Sequence, residues 1–426
     1  WKSMLYLTLT GRNDWASQLA NSSTSSFFYP SVGLSGVISE MIQMPSFIDY
    51  MKVRGSFSSV GMPYPRNLTS PTYEYNEATQ SWKPKTHYPI GDLKPERTDS
   101  WEVGLDMKLF KDFNLGLSWY LDNTFNQTFD PQISVSSGYT TIYLQTGYVR
   151  NTGLELSLGY GHTWNNNFRW DSNFTLSHNK NKIKELVRDY VHPETGELIN
   201  KDRLDVGGLG KARFILKEGG TLGDLYTQSD LKRDDNGMVD IDPTGIVAIE
   251  NNLPDIKLGS VFPKANLAWS NHFSWKGISL SALFTARIGG IVYSATEAAM
   301  DQYGVSERSA LARDNGGVLV NNRTLVDAQN YYTTIGSESG LPQYYTYNAT
   351  NVRLQEASIG YLIPRKWLGN VCDIQVSVIG RNLWMIYNKA PFDPESVATT
   401  DNYYQGIDYF MLPSTRNIGF NVKINF

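Results

Sequence analysis

Cysteine is almost absent from this sequence: Cys372 is the only one in 426 residues. A single thiol excludes a disulfide framework and a zinc site built from several cysteines. An excess of basic charge is also missing, because 38 Lys and Arg stand against 42 Asp and Glu, for a net charge of −4. Because no excess of basic charge attracts nucleic acid, we predict no nucleic-acid partner.

Long hydrophobic runs are missing as well. No apolar segment approaches the roughly 18 residues that a membrane-spanning helix needs, and the mean hydropathy is −0.36. These two observations exclude a helical membrane protein. They do not exclude a transmembrane β-barrel, since such a protein turns only every second residue toward lipid.

Motifs of catalysis and metal binding are also lacking. The five histidines show no H-x-x-H or H-E-x-x-H spacing, and we predict no catalytic residue, metal or cofactor, and no enzymatic activity. Residues 207–212 (GGLGKA) lack the first Gly and the last Ser or Thr of a phosphate-binding loop, so a flexible loop is expected. Residues 234–237 (DDNG) lack the acidic spacing of a calcium loop and predict a hairpin turn.

What the sequence does contain is alternation of apolar and polar residues. In residues 417–426 every even position is apolar and every odd one is polar or Gly. This period of two predicts a β-strand with one apolar and one wet face. Similar patterns of about ten residues start near positions 1, 32, 50, 101, 113, 154, 168, 265, 277, 357 and 372.

The twelve predicted strands favour an all-β transmembrane antiparallel barrel. Their number is even, aromatic residues lie near strand ends, and long polar links alternate with short ones, as in bacterial outer-membrane barrels. By the convention of such barrels, the segments 11–26, 61–98, 125–150, 181–259, 289–351 and 385–416 would be long extracellular loops, and the short links periplasmic turns. Polar positions such as Glu102, Asp106 and Arg169 would then face the lumen.

The chain resembles the C-terminal part of the SusC/RagA family of TonB-dependent outer-membrane transporters. The resemblance covers almost the whole chain, in a fixed order along the predicted strand ends. It is carried by residues 11–15 (GRNDW), 28–32 (FYPSV), 93–96 (LKPE), 100–106 (SWEVGLD), 150–156 (RNTGLEL), 262–264 (FPK), 380–383 (GRNL) and 392–395 (FDPE).

This resemblance implies a barrel of 22 strands with a plug domain in its lumen. Residues 1–426 would be the C-terminal part of that barrel, with the plug domain and first strands lying on a longer polypeptide or on a second chain. The family works as energy-coupled importers of glycans or oligopeptides in the bacterial outer membrane. Implied partners are a SusD-like lipoprotein, TonB through the missing N-terminal part, the remaining barrel strands and plug, and outer-membrane lipid.

Tyrosine clusters in the predicted outer loops are the candidate contacts with substrate or lipoprotein. Flat amphipathic rings beside amides and carboxylates suit sugar faces and peptide backbones. The alternative to direct substrate contact is that the rings pack the loops together or form the interface with the lipoprotein. The candidates are Tyr344, Tyr345, Tyr347, Tyr403, Tyr404 and Tyr409.

Two other functions fit parts of the sequence. A soluble, secreted all-β module that binds or hydrolyses carbohydrate would also have aromatic, Asn-rich loops. A receptor for siderophores or cobalamin would share the barrel but import another cargo. Solubility without detergent separates the first alternative from a transporter.

Overall fold

A twelve-stranded antiparallel sheet forms the body of the protein. The computed structural model describes residues 1–19, 22–62, 73–84, 87–88, 94–129, 139, 141–164, 167–191, 196, 198–369, 371–400 and 404–425. The strands of the sheet are β1 (Leu5–Trp15), β2 (Ser26–Val37), β3 (Ile48–Met62), β4 (Glu96–Leu109), β5 (Phe113–Phe129), β6 (Leu144–Thr163), β7 (Arg169–Glu185), β8 (Ala265–Trp275), β9 (Ile278–Ile288), β10 (Asn351–Ile363), β11 (Asp373–Asn388) and β12 (Asn417–Asn425).

The order of strands in the sheet follows their order in the chain, so the sheet is an uninterrupted meander. Each of the twelve predicted strands corresponds to one of these strands. The alternating pattern therefore predicted both the number of strands and their type. None of the helices in the described part of the chain is long and apolar enough to cross a membrane.

The two faces of the sheet differ in chemistry, as the alternation predicts. Leu117 on β5 pairs with Leu105 on β4 and Leu156 on β6, which places these leucines on one face, here called the outer face. Along this face large apolar side chains are exposed, including Val103 (53%) and Leu280 (48%). A continuous exposed apolar surface of this kind marks contact with a membrane or a partner.

The links between strands are long at one end of the sheet and mostly short at the other. The links 110–112, 164–168 and 276–277 are short, whereas 63–95, 186–264, 289–350 and 389–416 are long. Lys276 and Gly277 close the hairpin between β8 and β9 with φ values of 46° and 91°. A two-residue turn with positive φ at both positions has a backbone twist that matches the flanking strands. Gly adopts this conformation without a steric clash.

The strands are longer than the ten residues predicted for them. β5 has 17 residues and β6 has 20, and β7 reaches Glu185, inside the predicted loop 181–259. The additional residues lie at the end of the sheet with the long links. There the strands continue beyond the apolar band, so the alternation that identifies a strand disappears while the backbone pairing continues.

The long links carry their own secondary structure. Helix α1 (Ile38–Met41) and the 3₁₀ turn at Arg365–Leu368 lie at the end of the sheet with the short links. Helices α2 (Ala295–Gln302), α3 (Glu307–Asp314) and α4 (Ala328–Gly336) and the 3₁₀ turns at Ser17–Leu19, Ser337–Ser339 and Pro342–Tyr344 lie at the end with the long links. The short strands are Tyr73–Asn76, Ser81–Pro84, His87–Tyr88, Thr141–Ile142, Val187–Val191, Leu198–Lys201, Arg203–Leu209, Ala212–Lys217, Asp224–Thr227, Asp230–Leu231, Ile249–Glu250, Ile256–Ser260, Ile291–Ser294, Val318–Val320, Thr324–Val326, Thr346–Asn348 and Ile407–Asp408.

The elements of the links 186–264, 289–350 and 389–416 form one layer at the end of the sheet with the long links, here called the loop layer, with a hydrophobic core of its own. Two links contribute three strands to a small mixed sheet, in which Ile291–Ser294 pairs with Thr346–Asn348 and with Ile407–Asp408. The largest buried side chains of the core include Phe214, Tyr293 and Tyr345. The main apolar core of the protein therefore lies among the loops rather than against the sheet.

Two short motifs of the loop layer have defined structures. The segment 234–237 forms the predicted turn, since the Gly237 N–H donates to the Asp234 carbonyl at 2.9 Å. The segment 207–212 is a hairpin between two antiparallel strands, with Leu209 opposite Ala212, so the expectation of a flexible loop was wrong. The positive φ values of Gly207 (120°) and Gly208 (145°), which glycine adopts without strain, accompany a register shift in this pair of strands.

The outer face yields a test of its environment. We expect Leu117→Arg to cost about 2–4 kcal/mol of folding free energy, as for a charge placed on the lipid side of a barrel. The full-length protein should then show less of the compact, heat-modifiable form on a gel of unboiled outer membranes. Thr175→Arg, on the polar inner face of β7, is the matched control. Equal loss in both variants would contradict contact between the Leu117 face and lipid.

Candidate functional site

The inner face of the sheet is polar, as predicted for a lumen wall. Arg54 on β3 forms an ion pair with Glu102 on β4 and donates a hydrogen bond to Ser118 on β5 at 2.6 Å. Gly104 makes room for it, because a Cβ at this position would meet the Arg54 Nε at 2.5 Å. One guanidinium thus connects three strands across the wall.

A recess of about 610 Å³ lies in the inner wall near the short links. Its lining comes from the seven strands β4 to β10 or their turns and includes Lys108, Asn114, Arg169, Asp171, His272 and Glu356. Arg169 and Asp171 form an ion pair of 2.7 Å, and Glu356 pairs with Arg381 at 2.7 Å. Most of these charges are thus matched within the wall, which presents a mosaic of both signs rather than a field of one sign.

The tyrosine cluster at 344–347 is built mainly into the loop layer. Tyr345 is fully buried, and its hydroxyl donates to the Asp301 carboxylate at 2.9 Å. Arg308 completes the group, because it binds Asp301 at 2.7 Å and its guanidinium lies 4.8 Å from the centre of the Tyr345 ring. Burial raises the pKa of the Tyr345 hydroxyl, which remains a neutral donor. In this arrangement Tyr345 presents no surface to a ligand.

Tyr344 and Tyr347 are partly buried at the edge of the same core. Burial raises the pKa of both hydroxyls. Tyr347 lies on a strand of the small mixed sheet, and its ring meets Phe392 edge-on with centroids 5.8 Å apart. Both side chains therefore support the packing of the loop layer.

The second tyrosine cluster is more accessible. Tyr404 is 44% exposed and Tyr409 is 51% exposed. The Tyr404 hydroxyl lies beside Gly207, where an added Cβ would come within 3.0 Å of it. Tyr409 packs edge-on against Phe410 at 5.1 Å. Tyr403 lies outside the described residues. Tyr404 and Tyr409 are the predicted residues that combine ring exposure with support from the loop layer.

Sequence reasoning missed the buried polar group that joins β10 to the link 389–416. Arg353 is buried, and its guanidinium makes two hydrogen bonds to Asp393, at 2.8 and 3.1 Å. Glu395 lies 3.3 Å from the same guanidinium. Residues 392–395 (FDPE) carry part of the family resemblance, but nothing in the spacing of Arg353 identifies it as their partner. Asp301 and Arg308 were missed for the same reason.

Among the described residues, no group of three or more His, Cys, Asp or Glu side chains is arranged to hold a metal ion. A polar wall lies on the inside of the sheet, and exposed rings stand on a folded loop layer at its outer end.

Comparison with known proteins decides the family. The model of the family described as TonB dependent receptor-like, beta-barrel matches residues 1–383. The chain belongs to this family. It is therefore part of a transmembrane β-barrel of the bacterial outer membrane, with the apolar outer face toward lipid and the long links outside the cell.

Named relatives agree with this assignment. TonB-dependent receptors P3 and P26 of Formosa agariphila are each 24% identical to the chain; the alignments cover 99% and 100% of this chain but 44% and 45% of the relatives. The chain thus spans less than half the length of these relatives. A structure of the RagAB peptide transporter matches with a TM-score of 0.73 at 20% identity, over 99% of this chain and 46% of that one. A second RagAB structure, in an open-open state, gives 0.71 at 18%, over 99% and 45%.

The loop layer yields a prediction about pH. Arg203 donates two hydrogen bonds to Asp255, at 2.7 and 2.9 Å, and Lys217 lies 2.9 Å from the same carboxylate. The hydrogen bonds from Arg203 lower the pKa of Asp255 to about 2. The folded pKa of Asp255 lies below its unfolded value of about 3.9, so the ionised carboxylate stabilises the loop layer at pH values above about 3.9. This stabilisation is lost as the pH falls toward 2.

Amide hydrogen exchange of residues 203–217 in the full-length protein tests this expectation. Corrected for intrinsic rates, protection should fall between pH 4 and pH 2 as Asp255 becomes protonated. An Asp255→Asn variant should start with lower protection and lack this step. A step of the same size in the variant would show that another group causes it.

Proposed function

We propose that the protein is part of an energy-coupled importer of glycans or oligopeptides in the bacterial outer membrane. The observation that carries the proposal is the pair of opposite faces on one sheet, apolar and exposed outside, polar and ion-paired inside. Family membership supports it, and the soluble carbohydrate module does not fit the exposed apolar face. The proposed cycle makes and breaks no bond in the cargo, so the protein acts as a transporter rather than an enzyme.

The chain would supply twelve strands of a 22-stranded barrel whose lumen holds a plug. The remaining strands and the plug would lie on the same polypeptide or on a second chain. The proposed partners are TonB, which would draw energy to the plug, and a SusD-like lipoprotein seated over the loop layer. The name of the RagAB peptide transporter, with its TM-score of 0.73, makes oligopeptides the first cargo to test.

Uptake by the source bacterium tests the proposal. Deletion of the full-length gene should abolish accumulation of labelled oligopeptides or glycans, and a protonophore should do the same in the parent strain, because the energy comes from the inner membrane. In the deletion strain, uptake of ferric siderophore and cobalamin is the control and should not change. If only siderophore or cobalamin uptake is lost, that compound is the cargo instead of a peptide or glycan. If the deletion changes none of these uptakes, the importer proposal is refuted.

The exposed tyrosines give a residue-level prediction. Tyr404→Ala combined with Tyr409→Ala should raise the substrate concentration for half-maximal uptake about three- to tenfold, the range expected for lost aromatic contacts. Maximal uptake and barrel assembly should remain the same. Tyr303→Ala is a matched control, since Tyr303 is 77% exposed in the same layer. Unchanged affinity in the double variant would remove these rings from the substrate site.

A further inference from the structure

A cationic patch lies on the outer face of the sheet, directly beyond the apolar band. Its position follows from the rows of paired residues that cross β4 to β7. One row contains Leu105, Leu117, Leu156 and Leu176; the next toward the long links contains Val103, Trp119, Leu154 and His178. The third contains Trp101, Leu121, Thr152 and Lys180, and the fourth contains Asp99, Asn123, Arg150 and Lys182. The surface thus changes from aliphatic to cationic within two rows.

The lysines of β7 point away from the loop layer. Ile183 is fully buried in the core of that layer, and Asn181 accepts a hydrogen bond from the Leu222 N–H at 2.9 Å. Lys180 and Lys182 alternate with these inward residues and are exposed. They therefore face the surroundings of the barrel at the level where lipid headgroups begin.

The charges of this patch are not neutralised by neighbouring side chains. Among the described residues, no carboxylate lies within 4.0 Å of Arg150, Lys180, Lys182 or Lys184, in contrast to the paired Arg97 and Asp99 on β4. Glu185 is the acid nearest along the chain, and its carboxylate lies 3.8 Å from Arg188. The charges of Arg150, Lys180 and Lys182 act on Lys184, so four like charges are held together without a counterion.

Arg150 is fixed in place beside these lysines. Its Nε donates to the Asn123 side chain at 2.8 Å, and it also donates to the Tyr148 hydroxyl. Tyr148 in turn stacks on Phe125 with centroids 4.9 Å apart. None of these partners is charged, so the guanidinium is oriented but keeps its charge for a ligand outside the protein.

We propose that Arg150, Lys180, Lys182 and Lys184 bind the phosphate of a glycolipid in the outer leaflet. The lipid chains would lie along the aliphatic rows below, while the phosphate meets the fixed guanidinium and the three ammonium groups. Basic clusters next to a membrane-spanning surface bind anionic headgroups in this way. The site depends on the position of the barrel in the membrane and is independent of the transported cargo.

The test compares binding of three probes to the detergent-purified full-length protein: phosphorylated lipid A, dephosphorylated lipid A and inorganic phosphate. We expect the phosphorylated lipid to bind most tightly. The triple variant K180Q/K182Q/K184Q should bind it at least about tenfold more weakly, since each basic residue near an anionic surface contributes about fivefold. The matched control K201Q/K366Q/K389Q removes three exposed lysines elsewhere and should bind like the parent.

Three results would overturn the proposal. Equal affinity for phosphorylated and dephosphorylated lipid A would show that only the chains are bound. Complete displacement of phosphorylated lipid A by millimolar inorganic phosphate would assign the patch to a free anion. Loss of a co-purified lipoprotein from the triple variant, with lipid binding unchanged, would assign it to an acidic protein partner.

Discussion

The need to satisfy every backbone hydrogen bond inside a lipid layer governs this structure. Lipid offers no partner to an N–H or a carbonyl, so strands cross it only when every one of them is paired with its neighbours. The uninterrupted order of β1 to β12 is the result. Once the ladder is fixed, side chains alternate between the lipid and the lumen, and the contrast between the leucines around Leu117 and the ion pairs around Arg54 follows from it.

The part of the fold that obeys this constraint could be predicted from the sequence. Every apolar-polar alternation marked a real strand, because each position in the lipid band has one allowed chemistry. The predicted strands were too short at the end of the sheet beyond the apolar band, where this constraint no longer applies. Above the lipid, β6 continues through Leu144 to Arg150 and is covered partly by the loop layer, so its residues no longer alternate in a recognisable way.

The loop layer could not be predicted for a different reason. Its elements are short, and its core joins residues that are far apart in the chain, such as Phe214, Tyr293 and Ile407. The tyrosines at 344–347 looked like binding residues because composition distinguishes an aromatic ring but not its burial. Asp301 buries its charge against Tyr345 and Arg308, and no pattern in the sequence indicates this contact.

The small mixed sheet has a mechanical consequence. It takes one strand from the start of the link 289–350, one from its end and one from the link 389–416. Ser294 adds a hydrogen bond of 2.5 Å to Asp408, and Arg353 ties the base of the second link to β10. Because these connections share one core, one link cannot swing open without dragging the other. The end of the sheet with the long links is therefore stiff on this side.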